Sequence, residues 1–569
     1  MRDQAFEAPC RAAPETPPCV VVPAERDLRR FVPFFIASLS LTLTLGATLG
    51  MISLARLTGT WGPLSRPSVW AHGYVQVFGF LALFVMGFAY HAVPRFVGAS
   101  LQHASAVPRS LWFQLGGVLG VAAAFLIAPA SPLARLLWIV GSAALVGGAV
   151  LFARVMIATV RGRSSPPQPF QSWMVAGALW LAAASAVALA AAVADDTTWH
   201  HVLWPAALYG FAGSWILGAG RRLFPSSVFW KARWPRLERP AFALYQFGVF
   251  AWCVGAWPAE GPARLARGLG AMTLLVTVPL FAAILGLFGE RRSSAGGTDR
   301  DFRDYVRYMN AAWAWLFVAL VTGPGWTFVA IARGGHASIT ALDLSRHTLA
   351  LGFASQMIMG MGSRFVPVFC GTWLWSPRAH RLAFWLLNVA VVIRGLQAIL
   401  AAGYWPEVWP YLALSGPPAV LAIALFATNI FMALRTRRLP LYTRSSFANR
   451  PLSALLEVPG ALDVLVASGL TPMRRAWVRA MLAKALTLRQ ACTLMGIAVD
   501  PLLAQVTALA RGGAAAVAVH PSSSSASAGQ VPVGLVRGHA KPKSSAEASG
   551  SSPAGSRSES ADASDVGEA

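Results

Sequence analysis

Long apolar runs of about twenty residues alternate along the chain with short polar stretches rich in arginine and proline. Twelve of them read as helices, at roughly 31–54, 69–95, 110–129, 133–158, 171–194, 202–224, 240–258, 267–289, 308–332, 346–370, 382–402 and 410–434. A helix rises ~1.5 Å per residue, so runs of this length cover the ~30 Å hydrocarbon layer of a bilayer. From about residue 440 the pattern becomes amphipathic: Leu452, Leu455, Leu456, Leu462 and Leu465 recur at helical spacing, and Gly469 is a stop signal. This predicts a small soluble helical domain over 446–511. Residues 512–569 are too poor in large apolar groups to pack, and a disordered tail is expected there. Residues 1–30 lack the apolar core of a signal peptide, which leaves the first helix as the targeting signal. The expected fold class is therefore all-α, a twelve-helix membrane domain over 31–435 followed by the small domain.

Three of the twelve helices share one skeleton. A Gly-Phe pair is followed by a second glycine eight residues after the first, a basic residue four later and a proline three beyond that. The copies are Gly79-Phe80, Gly87, His91, Pro94; Gly210-Phe211, Gly218, Arg222, Pro225; and Gly352-Phe353, Gly360, Arg364, Pro367. They fall on the second, sixth and tenth helices, four apart. That predicts three four-helix units about a pseudo-threefold axis along the membrane normal. Small residues at this spacing let helices, or a flat cofactor, come close, and Gly79 and Gly352 are the candidates for such an approach.

Composition sharpens the membrane assignment. Hydrophobic residues make up 56% of the chain and charged ones only 12%, and the mean hydropathy is +0.54, values foreign to a soluble globule of this size. The net charge of +24 lies in loops between apolar runs, not on one stripe, which excludes a nucleic-acid surface and fits the bilayer as partner. Arginines collect on alternate loops, around 154–163, 221–239, 291–303 and 378–381. The positive-inside rule then puts both termini in the cytoplasm, in a bacterial inner membrane. Five scattered cysteines without a CxxC pair exclude a disulfide framework and a cysteine-built metal site. No nucleotide-binding or hydrolase motif is present.

An ionisable side chain at membrane depth needs a partner and is a functional candidate. His72 stands seven residues before Gly79, and His347 five before Gly352. Two imidazoles facing each other from different helices suit a six-coordinate haem; the alternative is that each ring simply bonds a backbone carbonyl. His201, after His200, Asp195 and Asp196, is a candidate copper ligand or part of a wet loop. Met357, Met359 and Met361 are soft ligands or packing. Arg222 and Arg364 hold equivalent exit positions, as partners for haem carboxylates or as cytoplasmic anchors. His91, His103, His336 and His380 read as structural or solvated.

With these residues in view the sequence resembles the NnrS family, twelve-helix bacterial membrane proteins that bind haem and copper and are linked to nitric oxide and nitrosative stress. The resemblance rests on Arg30-Phe31-Val32-Pro33-Phe34-Phe35, His72 with Phe78-Gly79-Phe80, the stretch Gly218 to Pro225, and His347 with Gly352, Gly360 and Arg364. Where the family has H-x-H-E, this chain has His72, Tyr74 and Val75 at the three characteristic positions. A more distant similarity to haem–copper oxidase catalytic subunits implies a low-spin b-type haem between His72 and His347. Residues 446–511 resemble DUF1858 without its cysteines, which implies a docking module for an electron donor or another protein. The resemblance thus implies an inner-membrane haem protein acting by electron transfer or gas-ligand binding, a haem-dependent oxidoreductase if it turns over. The competing classes are a haem-free secondary transporter and a membrane scaffold. The threefold repeat argues against the paired halves of a transporter.

Overall fold

The computed structural model describes residues 25–435, apart from breaks at 58, 60, 128–130, 165, 228–232, 257–260, 288–299, 371, 373, 401–410 and 412, and most of 452–509. Residues 1–513 form one compact unit and 514–569 a second. The second unit, where the tail was expected, and residues 1–24 lie outside the described residues.

Twelve long helices, counted among the described residues, carry the fold: α1 (25–57), α2 (Arg66–Val97), α3 (Ala106–Leu126), α4 (Pro132–Arg161), α5 (Pro169–Ala194), α6 (197–227), α7 (Glu238–Val254), α8 (Pro262–Ile284), α9 (300–332), α10 (339–369), α11 (Pro377–Leu400) and α12 (Gly416–Arg435). Each coincides with an apolar run of the sequence. Ten are long and apolar enough to cross a membrane; the others are α7, only 17 residues long, and the more polar α10. The protein is an all-α, multi-pass membrane protein.

Threefold symmetry is written in the packing. In each group of four, the first helix lies along the second and the third along the fourth. The groups join α4 to α5, α8 to α9 and α12 to α1, which closes a ring. The second helices are innermost: the apolar windows of α2 and α6 are 100% and 83% buried, against 28–50% for the other candidate spans. Outward, α3, α4, α7, α8 and α11 show Trp112, Val140, Phe250, Leu265 and Trp385. Such a belt would be a liability in water and suits lipid.

The repeated glycines explain why the second helices sit so deep. A Cβ added at Gly79, Gly210 or Gly352 would come within 3.2 Å of Leu41, 2.6 Å of Trp180 or 2.7 Å of Trp315. One turn pair further on, a Cβ at Gly87, Gly218 or Gly360 would meet Phe34 at 2.8 Å, Trp173 at 2.6 Å or Tyr308 at 2.7 Å. Each first helix presents its two large side chains seven residues apart, and each second helix receives them on two glycines. The close approach expected at Gly79 and Gly352 is therefore between helices.

The Gly-Phe pairs themselves lie in π-helical segments, Val75–Leu81, Ala206–Gly213 and Thr348–Ser355. These three segments touch one another at the centre of the bundle. A π turn frees carbonyls from the helix ladder, and buried carbonyls need donors. Ser38 Oγ donates to Phe80 O at 2.8 Å, Gln114 Nε2 to Phe78 O at 3.0 Å and Tyr245 Oη to Tyr209 O at 2.7 Å. The third helices contribute in the same way elsewhere: Gln246 and Asn388 accept the indole N–H groups of Trp180 and Trp315 at 2.7 and 2.8 Å.

The small C-terminal domain has its own apolar core, with Leu452, Leu455, Leu465, Leu488, Cys492 and Val506 buried. Helix Ala461–Ala467 ends at Gly469, whose φ of +106° is open to glycine and strained for other residues. A side-chain hydrogen bond from Gln490 to Trp375 O ties the domain to the segment between α10 and α11.

Gly218→Ala is expected to lower the stability of detergent-solubilised protein by about 1–3 kcal/mol through overpacking against Trp173. Gly116, with nothing within 4 Å of an added Cβ, is expected to accept alanine without loss. Equal melting temperatures for the two variants would remove the glycine contacts from this account.

Candidate functional site

The end of the bundle at which α2, α6 and α10 begin is here called the head, and the end at which they leave the foot. His72 lies on the head side of the π segment of α2. Its Nδ1 is 3.0 Å from the carbonyl oxygen of Gly46 on α1, and a Cβ on Gly50 would come within 2.9 Å of its Cε1. Two glycines one turn apart on α1 thus leave room for one imidazole between α1 and α2. His347 is the last residue before the π segment of α10. Its Nδ1 lies 2.9 Å from Asp343 O and 3.3 Å from Asp343 Oδ1. Arg394 of α11 donates to Asp343 Oδ2 at 2.8 Å.

Both rings are held in the same way. A backbone carbonyl only accepts, so Nδ1 is the donor in each ring and Nε2 is left as the nitrogen that a metal would take. His72 is within electrostatic range of His347, Asp343 and Arg394, so both rings lie at the head. The side chains of His347 and Asp343 keep 31% and 40% of their surface accessible, so neither is sealed in the core. Two imidazoles on different inner helices at the head are the donor set that a bis-histidine haem would take.

The two histidines do not occupy equivalent places in the repeat. Counted from the repeated glycine, His72 corresponds to Ser345 and His347 to Tyr74. The contacts follow this count: Ser345 Oγ donates to Ala319 O of α9 at 2.9 Å, as His72 meets Gly46 O of α1. Tyr74 Oη is 3.2 Å from His200 Nε2. His200 is 4% exposed and lies among Trp70, Trp138 and Trp204. Its neighbour His201 is exposed and feels Arg346 and Arg267. Cations beside a ring oppose a further cation, and among the described residues no group of three or more His, Cys, Asp or Glu could hold a metal ion. The copper reading of His201 finds no support in these neighbours. Asp196, before α6, accepts from Thr198 N at 2.8 Å and Thr198 Oγ1 at 2.6 Å, which holds its carboxyl below the usual range.

Arg222 and Arg364 lie at the foot. The guanidinium of Arg222 sits 5.3 Å from the Phe96 ring centroid and that of Arg364 5.4 Å from Tyr305, cation–π contacts that anchor the helix exits. Arg364 is separated from His347 by roughly 25 Å of helix at ~1.5 Å per residue, so the two exit arginines are remote from the histidine pair. Arginines at the head include Arg394, Arg346 and Arg267. The third exit position, His91, is 2% exposed and packs between Phe31 and Phe369 at 4.4 and 4.0 Å. His380 is likewise buried, stacked on Tyr308 at 4.5 Å.

Sequence reasoning missed Asp343 and Arg394. The tenth run was begun at residue 346, so Asp343 fell in a loop, whereas α10 starts at 339. Its position four residues before His347, one helical turn, was the available signal.

A ring of three four-helix units with a pair of anchored imidazoles at its head defines a multi-pass membrane protein. The family model described as NnrS protein matches residues 30–438, which is nearly the whole ring, and the chain belongs to the NnrS family. Membership supports a membrane protein of the nitric oxide response. The match stops before 446–511, so the DUF1858-like reading of that segment and the distant likeness to oxidases rest on their own residues. Comparison with curated proteins finds no match.

Asp343→Asn removes the charge between Arg394 and His347. Allowing for the 40% accessibility of Asp343, a loss of about 1 kcal/mol is expected, read as a lower melting temperature in detergent. An unchanged melting temperature would mean that the acid does not hold this site together.

Proposed function

We propose that this protein is a haem-binding inner-membrane protein of the nitric oxide response, with His72 and His347 as the two axial ligands. The observation that carries the proposal is the shared anchoring of the two rings: each Nδ1 is spent on a backbone carbonyl, on two of the three inner helices. Anchoring of this kind is the outer-shell support that fixes a ligating imidazole's tautomer and direction. Asp343, bonded by Arg394, adds a carboxylate behind His347 and makes that imidazole the more electron-rich of the two. Arg394, Arg346 and Arg267 offer positive charge at the head for the two carboxylates that a haem carries.

A bound haem would supply a one-electron couple and an iron centre for gas ligands. The chain's own part is to present two imidazoles from separate helices, each fixed through Nδ1 by a backbone carbonyl. The arginine-rich alternate loops support a topology with both termini in the cytoplasm. The domain at 452–506, with its separate core and its tie to Trp375, is then a cytoplasmic module suited to docking an electron donor or regulatory protein.

Protein expressed with adequate haem should show a Soret band and sharp reduced α and β bands. His72→Ala and His347→Ala are each expected to abolish the low-spin spectrum and release most of the bound haem, while His103→Ala leaves both unchanged. Wild-type protein without a Soret band, or an altered spectrum only in the His103 variant, would overturn the assignment.

A further inference from the structure

Below their π segments the three inner helices part and leave a cavity of about 70 Å³ on the axis of the bundle. Its walls follow the repeat. Five residues after the repeated glycine stand Phe84, Trp215 and Met357, and nine after it stand Phe88, Ala219 and Met361, all of them lining the space. The first three are no more than 3% exposed, whereas the second three are partly open. The cavity is therefore blind toward the π segments and open toward the foot. It persists because the nine-after layer is filled unequally: Ala219 is small where its counterparts are a phenylalanine and a methionine.

No polar side chain lines it. A water held there would give up hydrogen bonds without replacement, and apolar cavities of this kind stay dry and take up apolar solutes; an engineered cavity of ~150 Å³ admits benzene or xenon. At about half that size, with a tryptophan ring and two polarizable thioethers on its walls, the space suits one molecule of very few heavy atoms held by dispersion. We propose that this axial cavity is a binding site for a small apolar gas molecule. The proposal stands on the cavity alone and holds whether or not His72 and His347 carry a haem.

Xenon is the probe. Crystals of the full-length protein pressurised with xenon should show a xenon atom on the axis beside Trp215 and Met357. Ala219→Leu, which fills the open layer, should abolish that peak; Met361→Ala, which enlarges it, should raise the occupancy and serves should the leucine variant fail to fold. Absence of axial xenon in the wild-type protein, or occupancy that neither variant alters, would overturn the proposal. Haem-loaded protein without axial xenon refutes the cavity site and leaves the ligand assignment standing. Axial xenon in protein that lacks a Soret band does the reverse.

Discussion

The constraint on which the structure depends is the close seating of each second helix on the first helix of its own unit. Glycine is required at two levels because the partner side chains, Leu41 with Phe34, Trp180 with Trp173, and Trp315 with Tyr308, occupy the space a Cβ would take. This seating lets α2, α6 and α10 converge until their π segments touch. Everything at the head and on the axis follows from that convergence. His72 and His347 lie on one side of the π layer, and the apolar cavity lies on the other.

The π layer is itself a compromise. Each segment gives up part of the regular helix ladder; carbonyls of the first two are satisfied from neighbouring helices by Ser38, Gln114 and Tyr245, and in the third Ser355 Oγ donates to Ala350 O. In a bilayer interior, where water cannot supply the missing donors, such cross-bonds are obligatory. They also explain why polar residues occur on helices that are otherwise apolar: they serve the backbone of the inner ring.

Much of the fold was legible in the sequence because both of its determinants are periodic. Runs of apolar residues gave the helices, and the Gly-Phe skeleton gave the threefold grouping and the inner set. The π turns were invisible, since nothing in the spacing of Gly79 and Gly87 distinguishes a π segment from an α-helix. At the head, His72 and His347 were legible as unusual residues at membrane depth, but their relation was not. The repeat suggests matched positions, while the contacts pair His72 with Ser345 and His347 with Tyr74, so the site breaks the symmetry that frames it. Asp343 was lost to an error of a few residues in the start of α10. The exit arginines at 222 and 364 hold equivalent positions in the repeat, and their distance from the histidines follows from helix length alone.

Family membership supports the nitric oxide setting, and the geometry of two anchored imidazoles supplies the chemistry proposed within it. Electron paramagnetic resonance of the purified, oxidised protein addresses that chemistry most directly, because it reports the axial ligands of ferric haem. The account predicts a low-spin signal of the bis-imidazole type, lost on substitution of either His72 or His347. A purely high-spin ferric signal from the wild-type protein, or a low-spin signal that survives both substitutions, would contradict it.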